Sequence, residues 1–270
     1  MDYYVSFFYK LRWPDGFHCP RCAYPEAYTI TGRTLPLYQC KLCRHQTTVT
    51  AGTIMESSRT PLSKWASAIE LLSHHKSVNA VQLAKIISVT YKTAWSILRK
   101  IRSAILQFDQ NQRLTGSVEA GVRFYGRRNW QMFTPHPQEH PVIVAGSYFH
   151  NSNLTYVKMK FVPSAYMESK SVTRAGIASF RAKHVSEEAM YSFQKRIPFR
   201  SNLLLRDIFA EAKSWINRTF RGIGKKYLDA YLAEFCFRVN ATIKRWEPLS
   251  FIAELCMSTS KINIAMNKAA

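Results

Sequence analysis

Four cysteines in two matched pairs are the residues whose type and spacing most plainly do chemistry. Cys19-Pro-Arg-Cys22 is followed by seventeen residues and then by Cys40-Lys-Leu-Cys43. Zinc takes four thiolates or imidazoles in a tetrahedron. Each Cys-x-x-Cys turn presents two sulfurs from one tight knuckle, and a loop of roughly 15–20 residues between the turns is the spacing of a four-cysteine zinc site. Paired disulfides and a thioredoxin-like redox pair are the alternatives. The doubled motif argues against the redox pair, and the composition of the rest of the chain argues against a secreted disulfide framework. The expectation is structural zinc on Cys19, Cys22, Cys40 and Cys43, with residues 28–30 and 37–38 as short strands of a ribbon.

Composition sets the class of partner. The chain has 270 residues, 47% of them hydrophobic, enough for one or two domains with small modules attached. Its 38 Lys and Arg against 17 Asp and Glu give a net charge of +21, spread along the whole length. A folded, strongly basic chain with 13% aromatic residues points to nucleic acid. A charge that merely solvates the protein is the plainer reading, and the motifs below weigh against it. Cys236 and Cys256 sit in apolar, helical surroundings and read as buried reduced thiols. No run reaches the roughly 18 apolar residues of a membrane helix, and the N-terminus lacks a basic stretch ahead of an apolar one. A reducing, cytoplasmic setting with no membrane partner is expected.

The elements that must position these residues follow in chain order. Residues 2–12 read as a short amphipathic helix that stops at the turn Trp13-Pro14-Asp15-Gly16. Thr60-Pro61 opens a helix whose apolar face is Leu62, Trp65, Ile69 and Leu72. Asn79 caps a second helix over 80–87, Ser88-Val89 makes a turn, and Thr90 caps a third helix from 91 to 106. Short helix, tight turn and longer helix is the helix-turn-helix plan. At about 100° per residue, Ala94, Ile97, Leu98, Ile101 and Ile105 fall on one side of the third helix. Lys92, Ser96, Arg99 and Ser103 fall on the other, flanked by Lys100 and Arg102. A core stripe backed by a basic, hydroxyl-bearing face suits a recognition helix in the major groove. Lys92, Thr93, Ser96, Arg99, Lys100 and Arg102 are the candidate DNA contacts; an ordinary solvated helix face is the bland alternative.

Residues 109–115 are polar and read as a linker, after which the period changes. Val118, Ala120, Val122 and Phe124 alternate with Glu119, Gly121, Arg123 and Tyr125, as in a strand. Residues 141–149 and 154–162 are two more strands joined by a turn at 150–153, and a weaker strand covers 170–174. Helical patterns then take over at 207–220, 225–240 and 249–257. Strands first and helices after fit a mixed α/β domain with an antiparallel start.

The order of parts resembles that of bacterial insertion-sequence transposases with an N-terminal zinc ribbon and an ISXO2-like catalytic domain. The residues that carry the likeness are Arg12-Trp-Pro-Asp-Gly16, Cys19-Pro-Arg-Cys22, Tyr38-Gln-Cys40, Thr50-Ala-Gly-Thr53, Tyr91-Lys-Thr-Ala-Trp95 and Tyr231-Leu-Ala-Glu-Phe-Cys-Phe-Arg-Val-Asn240. The likeness runs over about residues 8–257, and these motifs are specific together, though each alone is weak. The resemblance implies an α+β chain of several modules. These are an N-terminal helix and turn over 1–17, a zinc ribbon over 18–50, a helix-turn-helix over 60–108, a ribonuclease-H-like α/β domain ending in helices over 116–257, and a tail over 258–270. It further implies double-stranded DNA as partner, terminal inverted repeats as target, a homo-oligomer, and two-metal strand cleavage and transfer.

That chemistry needs acids. Two Mg²⁺ ions about 3.5–4 Å apart clamp the attacking and leaving oxygens, and this hard cation takes carboxylates. The resemblance puts the first Asp where this chain has Gly121, and the second where it has Ala175. The third position falls at Glu211 in Glu211-Ala-Lys213-Ser-Trp215, so Glu211 and Lys213 are the remnants. Aspartate occurs only at positions 2, 15, 109, 207 and 229, and the acids between Gln110 and Arg206 are Glu119, Glu139, Glu168, Glu187 and Glu188. Glu119 shares a strand face with Gly121 and is the available substitute. Arg123 is on that face too, Arg174 adjoins Ala175, and both cations oppose a metal. The expected protein is transposase-like and DNA-binding, with structural zinc, a degenerate catalytic site and magnesium disfavoured. Its rivals are a working transposase in which Glu119 or Glu139 replaces an Asp, and a zinc-ribbon module that binds another protein.

Overall fold

The computed structural model describes residues 2–74, 77–127, 136–149, 153–194 and 202–258. The turn expected at 150–153 lies outside them up to residue 152, and the tail does so from residue 259. The chain divides into two compact units, Met1–Ala104 with Pro248–Ala270, and Ile105–Glu247.

The first unit opens with α1, Tyr3–Arg12, whose N-terminus is capped by Asp2 accepting from the Tyr4 amide (3.2 Å). Three short strands follow, β1 Ala27–Ile30, β2 Leu37–Cys40 and β3 Gln46–Thr48, in an antiparallel sheet of that order. So small a module has little apolar core of its own. Instead, Tyr9, Trp13, Phe17 and Tyr38 gather with ring centroids 5.1–6.0 Å apart, which joins α1 to the sheet. The Arg12 guanidinium lies 4.8 Å from the Trp13 ring and donates to the Val49 carbonyl (2.7 Å).

Three helices come next: α2 Leu62–Ser73, α3 Ala80–Ile86 and α4 Tyr91–Asn111. The first begins one residue later than Thr60-Pro61 suggests, with Pro61 at the cap position and no side-chain cap, whereas the starts of α3 and α4 are written in the sequence. Asn79 and Gln82 form a reciprocal capping box, and the Thr90 hydroxyl accepts from the Thr93 amide (3.2 Å). Ser88, at φ 52°, makes the sharp turn between α3 and α4. Ala94, Ile97, Leu98, Ile101 and Ile105 are buried, as their spacing predicts.

The second unit is built on a four-stranded sheet. Its strands are β4 Ser117–Gly126, β5 Glu139–Phe149, β6 Asn153–Phe161 and, after two-residue strands β7 Met167–Glu168 and β8 Ser171–Val172, helix α5 Arg174–His184 and strand β9 Met190–Gln194. The order is β6-β5-β4-β9, antiparallel except that β9 runs parallel to β4, the return being made through α5. One face buries Val118, Ala120, Val122, Ile143 and Ala145 with Phe180 of α5. The other buries Tyr125, Val142, Val144, Val157 and Met159 with helices α6 Leu203–Phe220 and α7 Lys225–Lys244. Helix α7 also covers the edge strand β6. The Asn240 side chain accepts from the Val157 amide (2.7 Å) and donates to its carbonyl (2.8 Å), while Asp229 accepts from the Phe161 amide (2.6 Å).

Two sequence expectations change. Residues 109–115 are not a plain linker: α4 continues to Asn111, and Asp109 is buried against Lys160 and Lys158. The Lys158 ammonium also donates to the Asp109 and Gln112 carbonyls at the end of α4, where a cation is favoured. The weak strand expected at 170–174 ends at Val172, because Thr173 turns from strand to N-cap and accepts from the Gly176 amide (3.1 Å). The last helix, α8 Pro248–Ser258, packs with α1 and α2 in the first unit, and the Ile54 amide donates to the Cys256 carbonyl (3.3 Å).

Candidate functional site

The metal centre is assembled by two equivalent knuckles. In the first, the Ala23 amide donates to the Cys19 carbonyl (2.8 Å); in the second, the Arg44 amide donates to the Cys40 carbonyl (3.1 Å). Ala23 and Arg44 each sit at φ 59°, a conformation that side chains with Cβ rarely adopt. These turns aim four sulfurs at one point. Cys19 and Cys43 sulfurs are 3.6 Å apart, Cys22 and Cys40 3.6 Å, Cys22 and Cys43 3.3 Å, and all four lie within 4.8 Å of one another. A tetrahedron with Zn–S bonds of about 2.3 Å has sulfurs about 3.8 Å apart, so the cluster fits zinc. It does not fit disulfides, whose sulfurs touch at about 2.05 Å, and all six cysteines are free.

The thiol chemistry agrees. Burial raises Cys19, but the amides of Arg21 and Cys22 outweigh it and bring the group down to about 7. At Cys22 the Tyr24 amide lowers the thiol, while burial and the neighbouring sulfurs push it up to about 12. Four thiols in one site cannot all ionise without a cation to share, and zinc supplies it.

Four sulfurs on a three-stranded antiparallel sheet define a zinc ribbon. Residues 5–46 match the family model of the transposase zinc-ribbon domain, of the IS1595 type. No curated protein and no solved structure matches the chain. The ribbon is therefore of the kind carried by insertion-sequence transposases, attached here to a mixed α/β protein. Among the described residues no helix is long and apolar enough to cross a membrane.

The candidate DNA contacts on α4 separate by exposure. Lys92 and Ser96 are exposed, and Arg99 is half-buried with its guanidinium 5.3 Å from the Trp95 ring. Thr93 is half-buried, its hydroxyl 2.9 Å from that of Thr90. Lys100 is turned inward, 5.9 Å from the Trp65 ring, where it donates to the Glu56 carbonyl (3.4 Å); burial lowers its pKa. Arg102 is only 4% exposed and cannot reach a groove from that position. The outward face is instead Tyr91, Lys92, Trp95, Ser96 and Arg99, at the i, i+1, i+4, i+5, i+8 spacing of one helix side. The sequence reading passed over Tyr91, which is 57% exposed.

The strand site is a cleft of about 10 Å³, room for one water at most, lined among others by Glu119, Gly121, Arg123, Gln194, Asn202 and Leu205. Alternation along β4 places Glu119, Gly121 and Arg123 on one face, successive residues about 7 Å apart. A Cβ on Gly121 would lie 3.6 Å from the Arg123 guanidinium and 3.6 Å from the Gln194 carbonyl. Burial, and then the charge of Arg206, lower the Arg123 pKa. Glu119 accepts from the Asn202 side-chain amide, which also donates to the Tyr148 hydroxyl (2.6 Å). Leu205 is the α6 residue that reaches this cleft. It approaches because Gly146 has no side chain: a Cβ there would stand 3.0 Å from Leu205.

Glu211 and Lys213 are not brought to this cleft. The buried stripe of α6 is Leu205, Ile208, Phe209, Ala212 and Ile216, and Glu211 is exposed beside it. Six residues separate it from Leu205, about 9 Å along the axis and well round the helix. Ala175 lies in the first turn of α5, whereas the strand parallel to β4 is β9, with Gln194 opposite Gly121. Sequence reasoning missed Gln194 and Asn202. Neither carries a charge, and only strand pairing brings them to Gly121 and Glu119.

Proposed function

We propose that this chain is a transposase-like DNA-binding protein that does not cleave DNA. The DNA-handling half rests on the match of residues 5–46 and on the sulfur cluster it covers. A helix-turn-helix reading of α3 and α4 is supported by the Asn79 and Thr90 caps and by the basic outward face of α4. A net charge of +21 favours a polyanionic partner. A ribonuclease-H-like reading of the second unit is supported by three antiparallel strands, a crossover helix and a fourth strand parallel to the first. Terminal inverted repeats as the target and a homo-oligomer as the working form follow from the resemblance.

The observation that carries the non-cutting half is the Arg123 guanidinium beside Gly121. Where the resemblance implies a metal-binding Asp, the cleft has Gly121 with a cation beside it. Its one acid, Glu119, is engaged by Asn202. On the neighbouring strand Gln194 stands beside Gly121, and no Asp or Glu occurs from Ala189 to Arg206. Magnesium wants several carboxylate oxygens and a geometry near octahedral, so these residues do not fit it. Zinc fits the ribbon, where Cys19, Cys22, Cys40 and Cys43 hold it and it supplies folding stability.

Salt titration of DNA binding by the zinc-loaded chain tests the reading. Each phosphate contact contributes about 0.9 to the slope of log affinity on log salt. A steep slope without added magnesium is expected. No binding at low salt, or a flat response, would sink the DNA reading in favour of a protein-binding module.

A further inference from the structure

A cavity of about 560 Å³ opens on the α5 side of the four-stranded sheet, within the second unit and away from the Gly121 cleft. That volume is in the range of roughly 300–1,000 Å³ occupied by small-molecule sites. Arg113 after α4 and Lys183 on α5 bring exposed cations to it from separate elements, and Lys160 on β6 lines it with its ammonium buried beneath. Its acid, Asp229, already accepts from the Phe161 amide. Behind this wall the buried Asp109 carboxylate pairs with both Lys160 and Lys158, so two lysines against one carboxylate, with Arg113 and Lys183 added, leave the wall positive. The other wall is apolar, made by Ile143, Tyr166 and Phe180. His184 stands at the edge between them, its ring 5.1 Å from Phe180, with Nδ1 buried and lacking a hydrogen-bond partner among the described residues.

We propose that this cavity is a nucleotide site, in which a phosphate group lies against Arg113 and Lys183, within the field of the buried Lys160, and the base lies against Tyr166 and Phe180. A bare phosphate would leave the apolar wall uncovered, and an apolar ligand would leave Arg113 and Lys183 without an anion. A ligand with a charged end and a flat, largely apolar end satisfies both. The state of His184 is consistent with this field: burial, and then Lys158, Lys160, Lys183 and Arg113, bring its pKa down to about 3. A bound phosphate would offset those charges and bring the imidazole pKa back up toward its ordinary value. The site is independent of the DNA contacts proposed for the ribbon and α4. The nucleotide is either free or the 5′-terminal nucleotide of a DNA strand, since both present the same chemistry.

Calorimetry on the zinc-loaded full chain tests this with three probes: dAMP, inorganic phosphate and a short 5′-phosphorylated single-stranded oligonucleotide. One dAMP per chain is expected, bound more tightly than phosphate. Lys183→Glu and Arg113→Gln should each weaken binding about tenfold or more, the loss of one charge-assisted contact. Lys183 and Arg113 are both exposed, so both variants should melt with the parent. Arg218→Glu, an exposed change on α6, should leave affinity unchanged. His184 should titrate at higher pH in the complex, read by NMR of the imidazole. If the oligonucleotide binds with the same variant dependence and dAMP does not, the nucleotide is a strand end and the site stands. If neither binds at about millimolar concentration, if phosphate binds as tightly as dAMP, or if neither variant weakens binding, the proposal is overturned.

Discussion

Replacing Asp109 with Asn removes the counter-charge of two buried lysines while keeping the side chain's shape. Lys158 has a side chain 0% exposed, Lys160 is 9% exposed, and both face the Asp109 carboxylate. Breaking a buried ion pair by deleting one partner costs about 3–5 kcal/mol. Lys158 has an escape. Its pKa is already down to about 8, chiefly by burial and then by Lys160, against the opposing pull of Asp109. At pH 7 such a group can shed its proton for about 1.4 kcal/mol, which caps its share of the penalty. Lys160 carries the rest, and the total should fall near 3 kcal/mol, the low end of that range. At roughly 4 °C per kcal/mol for a domain of this size, the second unit should melt about 12 °C lower. Differential scanning calorimetry at pH 7 reads the shift. The deficit should shrink toward pH 10, where Lys158 of the parent has also lost its proton and with it the pairing to Asp109, and adding Lys160→Met should restore at least half of it. A variant within about 0.5 kcal/mol of the parent at pH 7 would refute the idea that this carboxylate holds the end of α4 on the sheet.

Metal analysis should find one zinc per chain, and a chelator should collapse the amide signals of residues 5–46 while those of residues 105–247 persist; an unchanged ribbon spectrum would contradict the site. Arg99→Ala should lose roughly 1–3 kcal/mol of affinity for a preferred DNA sequence only, whereas an equal loss on every sequence would make Arg99 a phosphate contact. Arg102→Met, being buried, should change melting temperature and leave DNA affinity alone; a weakened complex would return Arg102 to the interface. His184 has a pKa lowered from 6.5 to about 3 in the folded chain, so the stability it contributes is complete above pH 6.5 and is lost as pH falls through that window. His184→Gln should therefore flatten the acid side of the second unit's stability curve, by at most about 1.4 kcal/mol per pH unit, and parallel parent and variant curves would count against it.

What the sequence disclosed was local. Two Cys-x-x-Cys turns state a zinc site by spacing alone, and Asn79 and Thr90 announce helix starts through bonds three residues long. Alternation put Glu119, Gly121, Arg123 and Tyr125 on one strand face, and the continuous β4–β5 register keeps them there. What it hid was non-local. Asp109 looked like linker because its lysines lie on β6, Lys158 being 49 positions away. Strand β9 is five residues long, with Met190 outward, so its pairing with Gly121 left no pattern to read. Arg102 fell at the flank of an apolar stripe whose buried width cannot be known before the neighbouring helices are in place.

The most direct measurement incubates the zinc-loaded chain with end-labelled duplex DNA and Mg²⁺ or Mn²⁺, and resolves both the retarded complex and the strands within it. A retarded complex whose strands stay full length is expected, because Arg123 stands beside Gly121 where a metal ligand would be needed. Metal-dependent nicking or strand transfer that disappears in Glu119→Gln would contradict it and restore a working catalytic centre.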